Sequence, residues 1–393
     1  MVEVLPFKGI MYTTGDIKDV ITEPYDKIPK ELQVRYYERN PHNFIRLNLP
    51  MDGDPYGSAR ATLNEWLRKG ILAKDQTPHF YEYVEKFTIF GSTRRRTGVF
   101  AAVKIEDYSE KKIYRHERTF TGPKEDRLKM LRATNADLEP VFFLYDDPSM
   151  EVEKLLDSLP KIRNLDLTDD GGVRHIIYRL NSQEITDIFK SKKLVIADGH
   201  HRYETALAFS KENNQAGNTG YVMAVLVNRY DPGLVILPSH RVIVNSKFNP
   251  QQVLEKLEEK FEIKEVPIEF INDPLKMDMV FYFKGHGFDL KLKENLPKTT
   301  STVEDINVSI LNNLVISGVL AITNRETIKF TRWATDAMQD VNEGNASFAF
   351  LVKPVDPKVV WNAAMNDEVM PEKSTDFYPK LISGLMMFDL LER

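Results

Sequence analysis

Apolar residues recur along this chain at two periods, and the switching between them sets out its organisation. Residues 80–90 and 98–105 carry the two-residue period and aromatic content of strands, with Arg94, Arg95 and Arg96 between them as an expected solvated hairpin tip. Helical spacing predicts a helix over residues 29–39, followed by a loop at 40–47, and helices over 148–159 and 182–189. A further helix over 57–69 places Ala61, Trp66 and Leu67 on part of one face and is ended by Gly70. Leu194-Val195-Ile196-Ala197 is a short continuous apolar run, after which Tyr203, Ala206, Leu207 and Ser210 fall at helical spacing. The chain is therefore expected to run from a buried strand through a tight turn into a helix. Residues 174–180, 222–227 and 234–237 read as strands, the second continuous enough to be buried on both faces. After a candidate boundary at 245–250 the pattern predicts a helix over 251–261. Strands at 280–284 and 348–352 and helices at 308–315 and 334–341 follow. The expectation is a mixed α/β (α+β) globular protein in three segments, 1–150, 151–247 and 248–393.

Composition narrows the picture. The 393 residues exceed the size at which one hydrophobic core stops growing, and 42% of them are hydrophobic, which excludes a disordered chain. With no cysteine, thiolate catalysis, Cys-ligated zinc and iron–sulfur centres are excluded, and a reducing compartment is expected. The formal net charge of -5 supplies no positive excess to neutralise phosphates, which argues against a nucleic-acid partner. The segment Met1-Val2-Glu3-Val4-Leu5-Pro6-Phe7-Lys8-Gly9 lacks the pattern of a signal peptide, and no apolar run approaches the ~20 residues of a membrane span. A soluble cytoplasmic protein with no membrane partner is expected, and a homo-oligomer stays open.

The chemistry concentrates in Ala197-Asp198-Gly199-His200-His201-Arg202-Tyr203-Glu204. A glycine after a buried strand can take a turn conformation closed to other residues, and the helix that follows offers unpaired amides and the positive end of its dipole. Two imidazoles and a guanidinium in that first turn suit a phosphate. The plain alternative makes Asp198 a cap, Gly199 a turn and the histidines surface residues. A metal reading puts Asp198, His200 and His201 with His116 and Glu117, although no His-x-x-x-His or His-Glu-x-x-His spacing is present. Magnesium carried with a nucleotide needs only one or two carboxylates plus phosphate oxygens, which this sequence can offer without a recognisable motif.

Two more clusters can complete a site. His116-Glu117-Arg118-Thr119 precedes Pro123-Lys124-Glu125-Asp126-Arg127 at a helix start, and Lys373-Ser374-Thr375 forms a hydroxyl-rich loop between Pro371 and Pro379. Of the remaining histidines, His240 beside Arg241 is the one that draws notice.

On Pro24-Tyr25-Asp26, Asn40-Pro41 with Arg46-Leu47, His116-Glu117 with Lys124, Asp126 and Arg127, the Asp198–Glu204 motif, Leu237-Pro238 with His240-Arg241, and Met370-Pro371 with Lys373-Ser374-Thr375 and Phe377-Tyr378-Pro379-Lys380, the chain resembles a bacterial and archaeal family of unknown function, number 1015 in that series. Asp376 stands where that pattern has an aromatic or similar residue. The Asp-Gly-His-His-Arg turn is also similar to the phosphate-binding turn of the ParB/sulfiredoxin-like superfamily, including archaeal free-serine kinases. That resemblance implies a nucleotide-binding core using ATP or ADP with Mg²⁺, and phosphoryl transfer to a small hydroxyl metabolite, L-serine favoured. It implies that Gly199, His200, His201 and Arg202, joined by Lys373, Ser374 and Thr375, hold the nucleotide, and that Asp198 acts on metal or hydroxyl. Glu117 and Asp126 are the candidate bases, and His116, Arg127, His240 and Arg241 the candidate substrate-binding residues. A ParB-like nucleotide-sensing module and a metal-dependent phosphohydrolase are the alternatives.

Overall fold

The hairpin expected around residues 80–105 turns at Phe90-Gly91, both with positive φ (48° and 72°), the backbone twist that a two-residue hairpin loop needs. The computed structural model describes residues 1–14, 17–117, 119, 121–271, 276–294, 301–371 and 373–391. Arg118 and Glu372, which stand inside two of the expected clusters, lie outside the described residues. The chain divides into two units. Unit 1 comprises residues 1–115, 119–234 and 379–393, and unit 2 residues 116–118 and 235–378.

Among the described residues, unit 1 is built on a nine-stranded sheet. Its strands are β1 (Val4–Leu5), β2 (Phe80–Ile89), β3 (Ser92–Lys104), β4 (Ile113–Tyr114), β5 (Val141–Tyr145), β6 (Ile162–Thr168), β7 (Arg174–Leu180), β8 (Leu194–Asp198) and β9 (Tyr221–Asn228). They lie in the order β4-β8-β5-β9-β3-β2-β7-β6, with β1 on β3. The sheet is mixed: β9 runs parallel to β5 and antiparallel to β3. That central position explains why β9 is apolar along nearly its whole length, as expected for a strand covered on both faces.

Two helices of unit 1, α1 (Thr121–Thr134) and α2 (His200–Glu212), pack against each other. Tyr203 and Ala206 of α2 enter the core with Val141, Phe143, Leu194 and Ile196. The rotation of α2 is fixed by Tyr203, whose hydroxyl donates to the Glu106 carbonyl at 2.6 Å and accepts from the Glu106 amide at 3.0 Å. A second, four-stranded sheet draws the end of the chain into unit 1, with Met387–Asp389 between Gly9–Tyr12 and Ala136–Asp137.

Among its described residues, unit 2 holds a six-stranded antiparallel sheet of β10 (His240–Ile243), β11 (Phe261–Val266), β12 (Met279–Phe283), β13 (His286–Leu292), β14 (Ile328–Thr331) and β15 (Phe348–Val352), in the order β11-β13-β12-β15-β10-β14. The Ala334–Asn342 helix packs on it through Ala337, Met338 and Val341. Val235–Leu237 pairs separately with Asp376–Tyr378.

The mixed α/β class is as expected, and no helix among the described residues is long and apolar enough to cross a membrane. Three local expectations are corrected. The tip expected at Arg94, Arg95 and Arg96 is instead at Phe90-Gly91, all three arginines lie within β3, and Arg96 is 1% exposed. It stands directly opposite Glu85 in the β2–β3 register and is held by that carboxylate, whereas Arg94 and Arg95 are exposed. The loop at residues 40–47 contains a short helix, Ile45–Asn48, its start fixed by the Asn43 side chain accepting the Ile45 amide at 3.0 Å. The helix expected to reach residue 261 ends at Leu257, and Phe261 starts β11.

Candidate functional site

Strand β8 delivers the chain to Gly199, which sits at φ 91°, ψ 30° and caps α2. This left-handed geometry is one that glycine adopts without Cβ strain. The Gly199 amide donates to Asp198 Oδ1 at 2.8 Å, and the Gly199 carbonyl accepts from the Tyr203 amide at 2.9 Å. The expected strand, turn and helix are therefore present. His200 is buried and His201 half-buried in the first turn, and the His201 carbonyl accepts from the Thr205 hydroxyl.

Around this turn, opposite charges pair within the protein. Lys380 Nζ donates to Asp198 Oδ2 at 3.1 Å, and Arg202 Nη2 lies 3.9 Å from Oδ1. Burial alone would raise the Asp198 pKa, but Lys380, Arg202 and Lys27 together hold it well below the usual carboxylate range. Lys380 is placed by its neighbour: the Pro379 carbonyl accepts from Arg96 Nη2 at 2.7 Å, and Arg96 is clamped by Glu85. The Arg202 guanidinium lies over Gly199, where an added Cβ would stand 2.9 Å from Nε. Its Nη1 donates to the Pro140 carbonyl. Burial would lower the Arg202 pKa, yet Glu139, Asp198, Asp26 and Tyr25 raise it on balance.

Arg202, Arg127, Asp137, Glu139 and Asn48 line a cavity of about 50 Å³, room for a water or two. Arg127 donates to Asp126 at 2.8 and 2.6 Å and to the Asn48 carbonyl at 2.9 Å. It also lies 4.4 Å over the Tyr25 ring. Asp126 additionally accepts from the Tyr56 hydroxyl. Glu139 accepts from the Tyr25 backbone amide, the Asn48 side-chain amide and the Ser383 hydroxyl.

Unit 2 gathers the other expected residues. His116 is buried, with Nε2 3.2 Å from Thr375 Oγ1, and its carbonyl accepts the Met370 amide. Glu117 forms a parallel bridge with Met370. Lys373 has a positive φ of 56°, and its carbonyl accepts from Arg241 Nη2 at 3.5 Å. The Ser374 hydroxyl is turned to the Pro371 carbonyl. Arg241 is fully buried and pushed down to about 10 by burial. His240 Nδ1 accepts the Val352 amide at 3.1 Å, and burial together with Arg241 pushes its pKa down to about 3. His240 is thus a neutral acceptor built into the sheet, with its side chain enclosed.

Over residues 4–314 the sequence matches the family described as protein of unknown function (DUF1015). The chain belongs to the DUF1015 family. No curated protein matches it. Similar solved structures include a conserved hypothetical protein from Pyrococcus furiosus, 14% identical over 71% of this chain and 90% of that one, with a TM-score of 0.37. Another is a free serine kinase in complex with AMP, 13% identical over 71% and 86% of the two chains, TM-score 0.37. A third is SbnI with C-terminal truncation from Staphylococcus aureus, 11% identical over 72% and 84%, TM-score 0.38.

The expected residues of this DUF1015 chain thus fall into two groups. Asp126, Arg127, Asp198, Gly199, His200, His201 and Arg202 belong to unit 1, and His116, Glu117, His240, Arg241, Lys373, Ser374 and Thr375 to unit 2. Asp198, the expected metal ligand, has its two oxygens engaged by the Gly199 amide and Lys380. No group of three or more potential metal ligands occurs among the described residues. Sequence reasoning missed Lys380, Glu139, Asn48 and Asp137 as members of the charged cluster. Lys380 stands in the Tyr378-Pro379-Lys380 motif and Tyr25 in Pro24-Tyr25-Asp26, so a signal existed for both.

Proposed function

We propose that this DUF1015 chain binds ATP or ADP at the turn from β8 into α2 and transfers a phosphoryl group to a small hydroxyl metabolite, with L-serine the favoured acceptor. The observation that carries this reading is the convergence of Lys380 and Arg202 on Asp198 at a glycine-capped helix start. The similarity of Asp198-Gly199-His200-His201-Arg202 to the phosphate-binding turn of ParB/sulfiredoxin-like proteins and free-serine kinases supports it. In this reading an incoming phosphate takes over Lys380 and Arg202 from their internal partners and accepts from the first-turn amides, next to His200 and His201. Such transfer asks the protein mainly for positioning and positive charge. The acceptor oxygen bonds phosphorus as the bridging P–O bond breaks. The nucleotide leaves one phosphate shorter, and the hydroxyl proton passes to a carboxylate, for which Asp126, in the same unit as the turn, is the candidate. Mg²⁺ would enter with the nucleotide phosphates, and Asp198, once Lys380 leaves it for the phosphate, is the carboxylate that would face it.

Thermal unfolding with ATP, ADP and CTP, on wild type and on Lys380→Ala and Arg202→Ala, tests binding. Phosphoserine formation with Mg²⁺ and L-serine tests transfer. Nucleotide stabilises wild type by several degrees and the two variants little. Absence of any nucleotide-dependent shift in wild type, or equal shifts in all three proteins, defeats the proposal. Hydrolysis unaffected by any acceptor replaces transfer with a sensing or hydrolytic role.

A further inference from the structure

Between the N-terminal half of α1 and the middle of α2, wholly inside unit 1, lies a cavity of about 450 Å³, the size of a small-molecule site. Leu128 of α1 and Leu207 and Ala208 of α2 give it apolar lining, and Tyr108 and Arg115 flank it with flat groups. The Arg115 guanidinium lies 4.9 Å over the Tyr108 ring, an arrangement that offers π-faces of the kind on which bases stack. Glu204 also lines the cavity. Its carboxylate is 13% exposed and accepts from the Thr119 hydroxyl at 2.6 Å, Lys124 at 2.9 Å and Arg115 at 3.3 Å. Burial opposes its ionisation, but those donors hold its pKa below the ordinary value. A carboxylate kept charged, with acceptor capacity left over, suits vicinal hydroxyls. The Tyr108 hydroxyl is buried and has no hydrogen-bond partner among the described residues, a cost that a ligand's polar atom would remove. Lys124 and Lys211 add positive charge at the same cavity.

Glu204 and Thr205 lie one helical turn beyond His200 and His201 on α2, and the Thr205 hydroxyl reaches back to the His201 carbonyl. The cavity therefore begins about 6 Å along the helix from His200, by the 1.5 Å rise per residue. We infer that this cavity seats the base and ribose of the nucleotide, with the base against Tyr108 and Arg115 and the ribose hydroxyls toward Glu204. The inference rests on the nucleotide reading given above and adds where the nucleoside half lies.

Calorimetric titration of adenosine, AMP and ADP into wild type, Ala208→Phe, Arg115→Gln and Lys380→Ala tests it. Ala208→Phe fills the cavity and weakens all three ligands at least tenfold. Arg115→Gln, at a half-exposed position, weakens all three severalfold, and Lys380→Ala weakens AMP and ADP but leaves adenosine as it was. Should wild type bind ADP while Ala208→Phe and Arg115→Gln bind it equally well, the cavity assignment falls and the phosphate reading stands. Should wild type bind none of the three, both fall. Photolabelling with 8-azido-ADP gives a readout free of substitutions: label on the peptides bearing Tyr108, Leu128 or Ala208 supports the assignment, and label confined to other peptides overturns it.

Discussion

Asp137 carries a titration that the fold itself must bear. Its carboxyl is 7% exposed and accepts the Met223 amide at 2.8 Å. Burial pushes its pKa from 3.8 up to about 7, against the opposing effects of that amide and of Arg202. A folded value above the unfolded one means that the native state favours the protonated acid. The contribution is fully present below about pH 3.8 and is lost as the pH rises toward 7. At about 1.4 kcal/mol per tenfold, the whole loss is roughly 4 kcal/mol, of which roughly 2–3 kcal/mol falls between pH 5 and pH 8. Asp137→Asn abolishes the titration while keeping an oxygen for the Met223 amide. Urea unfolding of both proteins at intervals from pH 5 to pH 8 gives the stability difference, which should move by that amount in the variant's favour as the pH rises. A difference flat across the range would refute the reasoning. So would a carboxyl resonance of Asp137 that titrates near pH 4 by NMR in the folded protein.

Two further substitutions probe the scaffold that positions the turn. Glu85→Gln removes the charge that clamps the buried Arg96 guanidinium, both side chains being at most 2% exposed. The expected loss is about 3–5 kcal/mol in urea unfolding, and a loss under about 1 kcal/mol would show that the pair is not coupled as drawn. Gly199→Ala forces a Cβ into left-handed geometry and against the Arg202 guanidinium. It should cost about 1–3 kcal/mol, and an unchanged melting temperature would contradict the left-handed geometry at Gly199.

How much of the fold was legible follows from how local its causes are. Residues 57–69 read as a helix from the spacing of Ala61, Trp66 and Leu67 and the stop at Gly70, and the helix runs Pro55–Arg68, with Asp54 accepting the Gly57 amide, Pro55 in the first turn and Gly70 at φ 69°. All of these lie within one window. The runs that form β2 and β3 were legible for the same reason, but their turn and Arg96 were not: three consecutive arginines look like a solvated tip until Phe90-Gly91 makes the turn and the register sets the third opposite Glu85. Strand register is a property of two chains of residues at once, and composition along one of them does not encode it. Likewise Phe261 continued an apolar helical pattern but pairs with Leu292 in β11 and β13, because a distant partner strand outweighs local spacing.

The charged cluster shows the same division more sharply. Asp198, Gly199, His200, His201 and Arg202 were legible together because a glycine between a strand and a helix and the groups that crowd it are contiguous. Their counter-charges were not. Lys380 is 182 residues from Asp198 and reaches it only because Arg96 fixes the Pro379 carbonyl and Met387–Asp389 completes a sheet with Gly9–Tyr12 and Ala136–Asp137. Glu139 meets Tyr25, Asn48 and Ser383 from three other stretches of chain. This changes what the turn means physically. Read from its own residues it is an excess of positive charge waiting for an anion. In the folded unit, Lys380 and Arg202 already face Asp198, Arg202 donates to the Pro140 carbonyl, and Glu139 and Asp26 favour its charged form. An incoming phosphate must therefore win these cations from internal partners, so its affinity is a difference between two sets of charge-assisted bonds.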